Sequence, residues 1–490
     1  MAVVLASCCT PAALAAAGKR PNVLLICVDD LRPQLGCCGC EQMITPNLDR
    51  LASEGRMFTR HYVQVAACGP SRCTMLTGRR ILDSWDCWGA ARKLPKEPDV
   101  PVSFPHLFRR AGYRTVSLGK VSHEPGGTMP PEYEVHQVPF SWDLARGPTG
   151  PWKDPWRAFF AYADGKAYNK VIRWTRNEPP RLPLEAADVD DDGYADALNA
   201  QAAIEQLGDL HERGVPFLLA VGFFKPHLPH NAPKRYWDLY DREQIGLPPN
   251  YAPPKNVNAA ISLHQSNELT SHYHWPGGLG KITREEAIRQ RHAYFACVSY
   301  VDAQIGKVLD AYRRLGLEEN TIVVLWGDHG WHLGEQGIFC KATNFEVATR
   351  SPLIIKVPGM SQPGTPAEGL VEAVDLYPTL AALCGLDPPA DLPGTSLAPM
   401  LDDPRHPGKD GARSFYRRGR LEGNALRTER YRIVEWSDRA TGKPAQVELY
   451  DHQRDPQETE NVAAENPEVV RRLLAQLRTG ETKLLTATNP

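Results

Sequence analysis

The chain has 490 residues, more than one small core needs, which favours one large domain with a smaller companion. Hydrophobic residues make up 42% and charged residues 23%, ordinary for a soluble globular protein. The net charge of −2, with no basic run among the aromatics, gives nucleic-acid binding no footing, although a locally basic pocket stays open.

The chain opens MAVVLASCCTPAALAAAGKRPN, an apolar stretch closed by Ala15-Ala16-Ala17 and Gly18. That resembles the end of a secretory signal peptide, so residues 1–17 are the predicted leader of an exported protein, periplasmic or secreted. Leu5-Ala6-Ser7-Cys8 also reads as a lipoprotein cleavage box, the weaker option because so few residues precede the cysteine. No later stretch reaches the roughly 18 apolar residues that a membrane span needs.

Val23 to Val28 is apolar at every position and runs into Asp29-Asp30, the pattern of a buried parallel strand. Thr321 to Trp326 repeats it and runs into Gly327-Asp328-His329-Gly330; Pro216–Gly222 and Pro352–Val357 read the same way. Glu285 to Leu315 places Ala, Val, Ile and Leu at helical spacing. Strands alternating with helices predict an α/β fold, a large mixed but mostly parallel sheet sandwiched by helices. From Pro388 to Gly408 the chain turns rich in Pro, Asp and Gly, so the main domain is expected over 18–390 and a smaller α+β domain over 391–490. The latter has antiparallel runs at Tyr431–Trp436 and Val447–Tyr450, then a helix near Pro467–Leu477.

Ligands of open α/β sheets collect beyond the carboxyl ends of strands, where Asp29, Asp30, Asp328 and His329 fall. Converging carboxylates call for a cation, and hard oxygen donors suit Ca2+ or Mg2+. Aspartates that merely cap loops are the alternative, and spacing does not decide between them. AACGPSRCTMLTG, residues 66–78, adds Cys68 at a helix start, with Pro70 suited to the first helical position. Backbone N–H groups there favour an anion, and Arg72 offers a forked donor for a tetrahedral oxyanion. A lone cysteine defaults to a packing role, as Cys73 in the same helix does, but these neighbours argue otherwise for Cys68. The 12 cysteines are too sparse for a disulfide scaffold, and Cys37-Cys38-Gly39-Cys40 lacks the paired knuckles of zinc sites. Asp188, Asp190, Asp192, Gly193 and Asp196 begin like an EF-hand, yet position twelve is Asn199; they read better as the acidic start of a helix over 196–208.

Cys68 to Gly78 matches the sulfatase signature C-x-P-S-R-x-x-x-L-T-G at every fixed position. On that motif the chain resembles the formylglycine-dependent sulfatases of the alkaline-phosphatase superfamily. Gly119–His123, Lys225-Pro226-His227, GDHGWHLGEQGIFCK ending at Lys341, and Glu448–Ala463 extend the likeness over nearly the whole chain. His329 after the last metal aspartate, with KVSH, KPH and HGWHLGE, points to the branch acting on 2-O-sulfated iduronate. The resemblance implies that a formylglycine-generating enzyme converts Cys68 to Cα-formylglycine (3-oxoalanine), whose hydrated gem-diol is the nucleophile. It implies one Ca2+ held by Asp29, Asp30, modified Cys68, Asp328 and His329. Arg72, Lys120 and Lys341 would then neutralise charge on the sulfuryl oxygens, with His227 as general acid and His123 assisting sulfate release. Trp331 either borders a sugar subsite or is a core residue. The implied activity is hydrolysis of a sulfate ester on a carbohydrate. A phosphonate or phosphate monoester hydrolase of the same superfamily, or a sulfated-glycan binder with unmodified Cys68, are the competing readings. Segments 132–188 and 250–280 are expected to wall the cleft.

Overall fold

The computed structural model describes residues 20–81, 102–129, 135–172, 175, 177–480 and 482. The predicted leader 1–17 and cysteines Cys8, Cys9 and Cys87 lie outside the described residues.

Eight strands form the main sheet: β1 (Asn22–Val28), β2 (Arg56–Tyr62), β3 (Arg114–Gly119), β4 (Leu144–Arg146), β5 (Phe217–Phe223), β6 (Thr321–Gly327), β7 (Leu353–Lys356) and β8 (Ala367–Glu372). Their spatial order is β8-β2-β7-β6-β1-β5-β3-β4. Every neighbouring pair is parallel except those of β7, which runs against both β6 and β2. The run at 352–357, read as a parallel strand, is therefore antiparallel. A parallel strand needs a crossover to the far end of the sheet. Here the chain leaves β6 and comes back at the same end, where the amide of Gly327 donates to the carbonyl of Pro352 at 2.9 Å.

The uninterrupted apolar runs follow from burial on both faces. In β1, Leu24, Ile26 and Val28 share one core with Leu48 and Leu51 of α1 (Pro46–Glu54), Leu207 of α3 (Ala195–Arg213) and Val301 of α4 (Arg284–Arg314). Val23, Leu25 and Cys27 point the other way, against Met75 and Leu76 of α2 (Cys68–Thr77) and Leu376 and Leu380 of α5 (Leu376–Leu383). Each such side chain contributes about 1.5–3 kcal/mol by leaving water. α4 falls within a residue of its predicted span, and a capping box between Thr283 and Glu286 fixes its start.

The smaller sheet is an antiparallel meander of β9 (Ala412–Arg418), β10 (Leu421–Arg427), β11 (Tyr431–Asp438) and β12 (Pro444–Asp451). Its apolar face, Leu426, Ile433 and Leu449, is covered by Leu473 and Leu477 of α6 (Pro467–Arg478). β9 and β10 escape sequence reading because arginines interrupt their alternation in ARSFYRRGRLEGNALR. The two sheets meet where the amide of Phe415 donates to Gln64 at 2.7 Å. Leu397, Met400 and Leu401, from the Pro- and Asp-rich stretch, pack into the α5 core. Among the described residues no cysteine is in a disulfide, and no helix is long and apolar enough to cross a membrane.

Candidate active site

Parallel register pairs Val28 with Gly327, so Asp29 and Asp328 leave adjacent strands at one level. Asp30 takes a left-handed backbone (φ 57°), a conformation that Asp tolerates better than most residues. Its amide donates to Asp328 Oδ1 at 2.9 Å, and the Tyr294 hydroxyl on α4 donates to its carbonyl at 2.7 Å. α2 begins at Cys68 itself, so Pro70 occupies the third helical position rather than the first. Its missing N–H costs nothing there, because first-turn amides have no intrahelical acceptor. All of α2 is buried, and Gly78 (φ 65°) ends it by donating to Thr74.

The ligating atoms of Asp29, Cys68, Asp328 and His329 all lie within 4.8 Å of one another. Asp30 adjoins them, with Oδ1 3.7 Å from Cys68 Sγ and 3.3 Å from His329 Nε2. His329 Nδ1 meets the carbonyl of Gly330 at 2.9 Å; a carbonyl only accepts, so Nδ1 carries hydrogen and Nε2 offers its lone pair to the cluster. Lys120 Nζ lies 2.5 Å from Asp29 Oδ2, and Lys341 Nζ lies 3.0 Å from Asp30 Oδ1 and 3.4 Å from Cys68 Sγ. Arg72 makes contacts within the protein. Its Nε donates to Asp328 Oδ2 at 2.9 Å, its Nη2 lies 3.3 Å from Asp29 Oδ1, and its Nη1 donates to the Lys120 carbonyl. The fork is thus engaged by two carboxylates and the backbone, tying three strand ends together. Glycine is required beneath: a Cβ on Gly222 would fall 2.1 Å from the Lys120 carbonyl, and Gly119 (φ 68°) would strike Gly222.

Burial, then the like charge of Asp29, pushes Asp328 up to about 7. Burial raises Asp30 as well, with Lys341 opposing. For Asp29, burial is outweighed by Lys120 and Arg72, which hold it well below the usual carboxylate range. Burial lowers His329 to about 4, and burial with Asp29 pushes the Cys68 thiol well above its ordinary value.

His227 sits in the loop after β5. Asp196 fixes that loop by accepting the amides of Phe224 and Lys225 at 2.7 and 2.8 Å. The His227 ring presents Nδ1 to the Leu228 carbonyl at 2.6 Å and Nε2 to Glu268 Oε1 at 3.2 Å, with Asp30 Oδ2 at 3.8 Å. Both nitrogens thus face oxygens. His123 lies on the loop leaving β3 with its ring 6.3 Å from that of Trp156; burial and Lys120 lower it to about 3. Phe159 lies under Lys120 Nζ (4.0 Å) and beside His227 (4.6 Å). Trp331 is 1% exposed and belongs to the main core, with Lys341 Nζ 5.0 Å above its ring. It takes the core option of its two readings, because no ring surface is open to a sugar.

Glu268, on the short helix Asn267–Thr270, was missed by sequence reading. Its Oε1 is 3.1 Å from Lys341 Nζ and 3.2 Å from His227 Nε2; these two outweigh burial and keep it well below the usual range. One glutamate in a polar stretch has no spacing to betray it. Of the EF-hand-like acids, Asp196 holds the loop after β5 and Asp190 lies 3.8 Å from Arg235; the neighbouring Asp191 pairs with Lys307 at 2.6 Å, and α3 extends to Arg213.

Residues 21–386 match the sulfatase family profile, and residues 334–483 match the C-terminal profile of N-sulphoglucosamine sulphohydrolase. Iduronate 2-sulfatase of Mus musculus is 34% identical over 431 residues, covering 80% of this chain and 74% of that protein. Iduronate 2-sulfatase of Homo sapiens is 34% identical over 413 residues, covering 77% and 71%. Among solved structures, the phosphonate monoester hydrolase of Agrobacterium radiobacter aligns with a TM-score of 0.75 at 25% identity, covering 96% of this chain and 98% of that one.

Proposed function

This chain belongs to the sulfatase family and is a sulfuric ester hydrolase, and from that premise we propose that it acts on a sulfated carbohydrate through a formylglycine nucleophile and one Ca2+. The proposed substrate is a 2-O-sulfated uronic acid of a glycosaminoglycan, or a related unit of another sulfated polysaccharide. The observation that carries this reading is Cys68 at the buried head of α2, within ligand distance of Asp29, Asp328 and His329.

The donor set fits both groups. Asp29 Oδ1 is buried and, although Arg72 Nη2 lies 3.3 Å away, accepts no hydrogen bond, which leaves it the kind of oxygen a hard cation takes up. Three carboxylates, Asp29, Asp30 and Asp328, face three cationic side chains, Arg72, Lys120 and Lys341, so the protein alone has no surplus positive charge for a sulfate. Bound there, Ca2+ supplies Lewis-acid charge, and hydrated formylglycine at position 68 supplies the hydroxyl nucleophile.

The chain's own residues then divide the work. Lys120 and Lys341 neutralise charge gathering on the sulfuryl oxygens, where a desolvated cation is most effective. Arg72 holds Asp29, Asp328 and the Lys120 loop in register. His227 donates a proton through Nε2 to the departing sugar oxygen, and His123 hydrogen-bonds the second hydroxyl at position 68. We place the leader at 1–17, with export to the periplasm or beyond, and the division between the domains just after residue 390; the core packing of Leu397 and Leu401 favours a seam slightly further along.

The test is the mass of the peptide spanning 61–79 after co-expression with a formylglycine-generating enzyme, followed by a screen of disaccharides sulfated at defined positions. Aldehyde at residue 68 and release of 2-O-sulfate are expected; a peptide carrying only thiol would undercut the mechanism. A second reading, phosphonate monoester hydrolysis, is favoured by the fold likeness to the Agrobacterium enzyme. Rates on 4-nitrophenyl sulfate and 4-nitrophenyl phenylphosphonate separate the two.

A further inference from the structure

We propose that Glu268 is a positioning residue for the leaving-group side of the reaction, holding His227 and Lys341 in one arrangement through a single carboxylate oxygen. The inference rests on the roles proposed above for His227 and Lys341. Glu268 Oε1 lies 3.2 Å from His227 Nε2 and 3.1 Å from Lys341 Nζ, and among the described residues these are its ion pairs. The two partners come from unconnected places, the loop after β5 and the end of the ribbon that closes at Cys340. From the main sheet only Asp30 among the described residues, just after β1, reaches both, at 3.0 Å from Lys341 Nζ and 3.8 Å from His227 Nε2.

The segment carrying Glu268 is anchored for this task. The His264 ring meets the Lys341 carbonyl at 2.6 Å, and the amide of Phe339 donates to Ser266 Oγ at 2.9 Å. Three side chains, at 264, 266 and 268, therefore grip the strand that delivers Lys341. Asp30 also touches both Lys341 and His227, but it belongs to the cluster around Cys68. Glu268 lies outside that cluster and is the shorter link to His227, 3.2 Å against 3.8 Å for Asp30. Its side chain is 22% exposed, so its ion pairs are largely shielded from solvent screening.

As the S–O bond to the departing oxygen breaks, its electron pair goes to that oxygen, which takes the Nε2 hydrogen that His227 shares with Glu268 Oε1, while Glu268 keeps its pair with Lys341. The need for that proton grows with the basicity of the leaving group. A residue acting through His227 should therefore matter for poor leaving groups and little for good ones.

The experiment compares full-length, Cys68-modified wild type with E268A and E268Q on 4-nitrophenyl sulfate and phenyl sulfate. With E268A, kcat on phenyl sulfate should fall about 30-fold, part of the roughly 100-fold or more that a general acid contributes. On 4-nitrophenyl sulfate it should fall less than about 3-fold, with KM nearly unchanged on both and E268Q intermediate. Adding H227A to E268A should cost little more, since the two act as one unit. Equal losses on both esters, a change confined to KM, or no loss would each overturn the proposal. If E268A does not fold, the same criteria applied to E268Q decide. A wild type active on 4-nitrophenyl sulfate whose H227A variant shows no leaving-group dependence would instead overturn the role given to His227, and this inference with it.

Discussion

Among the described residues, two separate regions bring acids and histidine to a common point, and the first also holds Asp30 and His227 around Cys68. Asp29, Cys68, Asp328 and His329 form one, and Glu346, His452 and Glu458 form the other, each with ligating atoms within 4.8 Å. A count of donor types does not tell them apart. Nor does the presence of an arginine, since Arg72 bonds Asp328 as Arg432 bonds Glu458; the outcome of burial against charge does. In the second cluster Arg432 bonds Glu458 at 2.7 Å and Glu346 as well, while Arg427 bonds Glu346 at 3.1 Å. Those guanidiniums outweigh burial and hold both glutamates below the usual range. In the first cluster burial wins at Asp30 and Asp328, and an oxygen of Asp29 is left without a hydrogen bond. One cluster is a closed ion knot that fastens β10 and β11 to the loop beyond Lys341. In the other, burial prevails at two carboxylates despite their cationic partners, a cost that a bound cation would offset.

The widest gap between them should be in turnover. C68A should lower kcat/KM on 4-nitrophenyl sulfate by at least about 1000-fold, the scale of losing a nucleophile, with the melting temperature nearly unchanged. R432M should do the reverse. Removing one partner of a buried pair costs about 3–5 kcal/mol, read by urea unfolding, while the specific activity of the folded fraction stays close to wild type. Equal stability losses for both variants would break the distinction.

Metal removal sharpens it. Adding Ca2+ to chelator-treated protein at about 1000 times its Kd should stabilise by about 4 kcal/mol, seen as a rise in melting temperature. D328N should abolish that rise, and E346Q should preserve it. A Ca2+ response lost in E346Q would mean that the ion knot is the metal site.

The same contrast explains what could be read in the sequence. Asp29, Asp30, Asp328 and His329 stand at the ends of uninterrupted apolar runs, so strand burial announces them. Cys68 and Arg72 share one helix turn inside a fixed motif. Glu268 has neither kind of signal, because its meaning comes from two partners delivered by other segments. The direction of Arg72's fork was equally hidden, since spacing gives its neighbours but not which of them it binds. β7 has the composition of its parallel neighbours; only the path of the connection from β6 reverses it. The arginine-rich strands β9 and β10 hide their apolar face because their charges serve the ion knot and the loop at Ala342.

The effect that is smallest per unit of change is a slope against pH in the metal-free protein. Asp328 is raised in the fold to about 7 from 3.8, so it favours the protonated folded state. Below about pH 4 both states hold the proton and the residue costs nothing. As pH rises toward 7 the unfolded chain ionises first, and wild type should lose stability relative to D328N by about 1.4 kcal/mol per pH unit. Above that the difference is flat. Buried neutral histidines such as His61, lowered to about 4, act in the opposite sense, losing stability as pH falls below 6.5. They are common to both proteins and cancel in the difference. Glu346 and Glu458 are depressed, so their contribution is complete above about 4.5 and lost only in stronger acid; the difference between wild type and E346Q should be flat from pH 5 to 7. Urea midpoints at three pH values would show it. A sloping E346Q difference beside a flat D328N difference would reverse the assignment of the two clusters, because it would place the uncompensated charge in the ion knot.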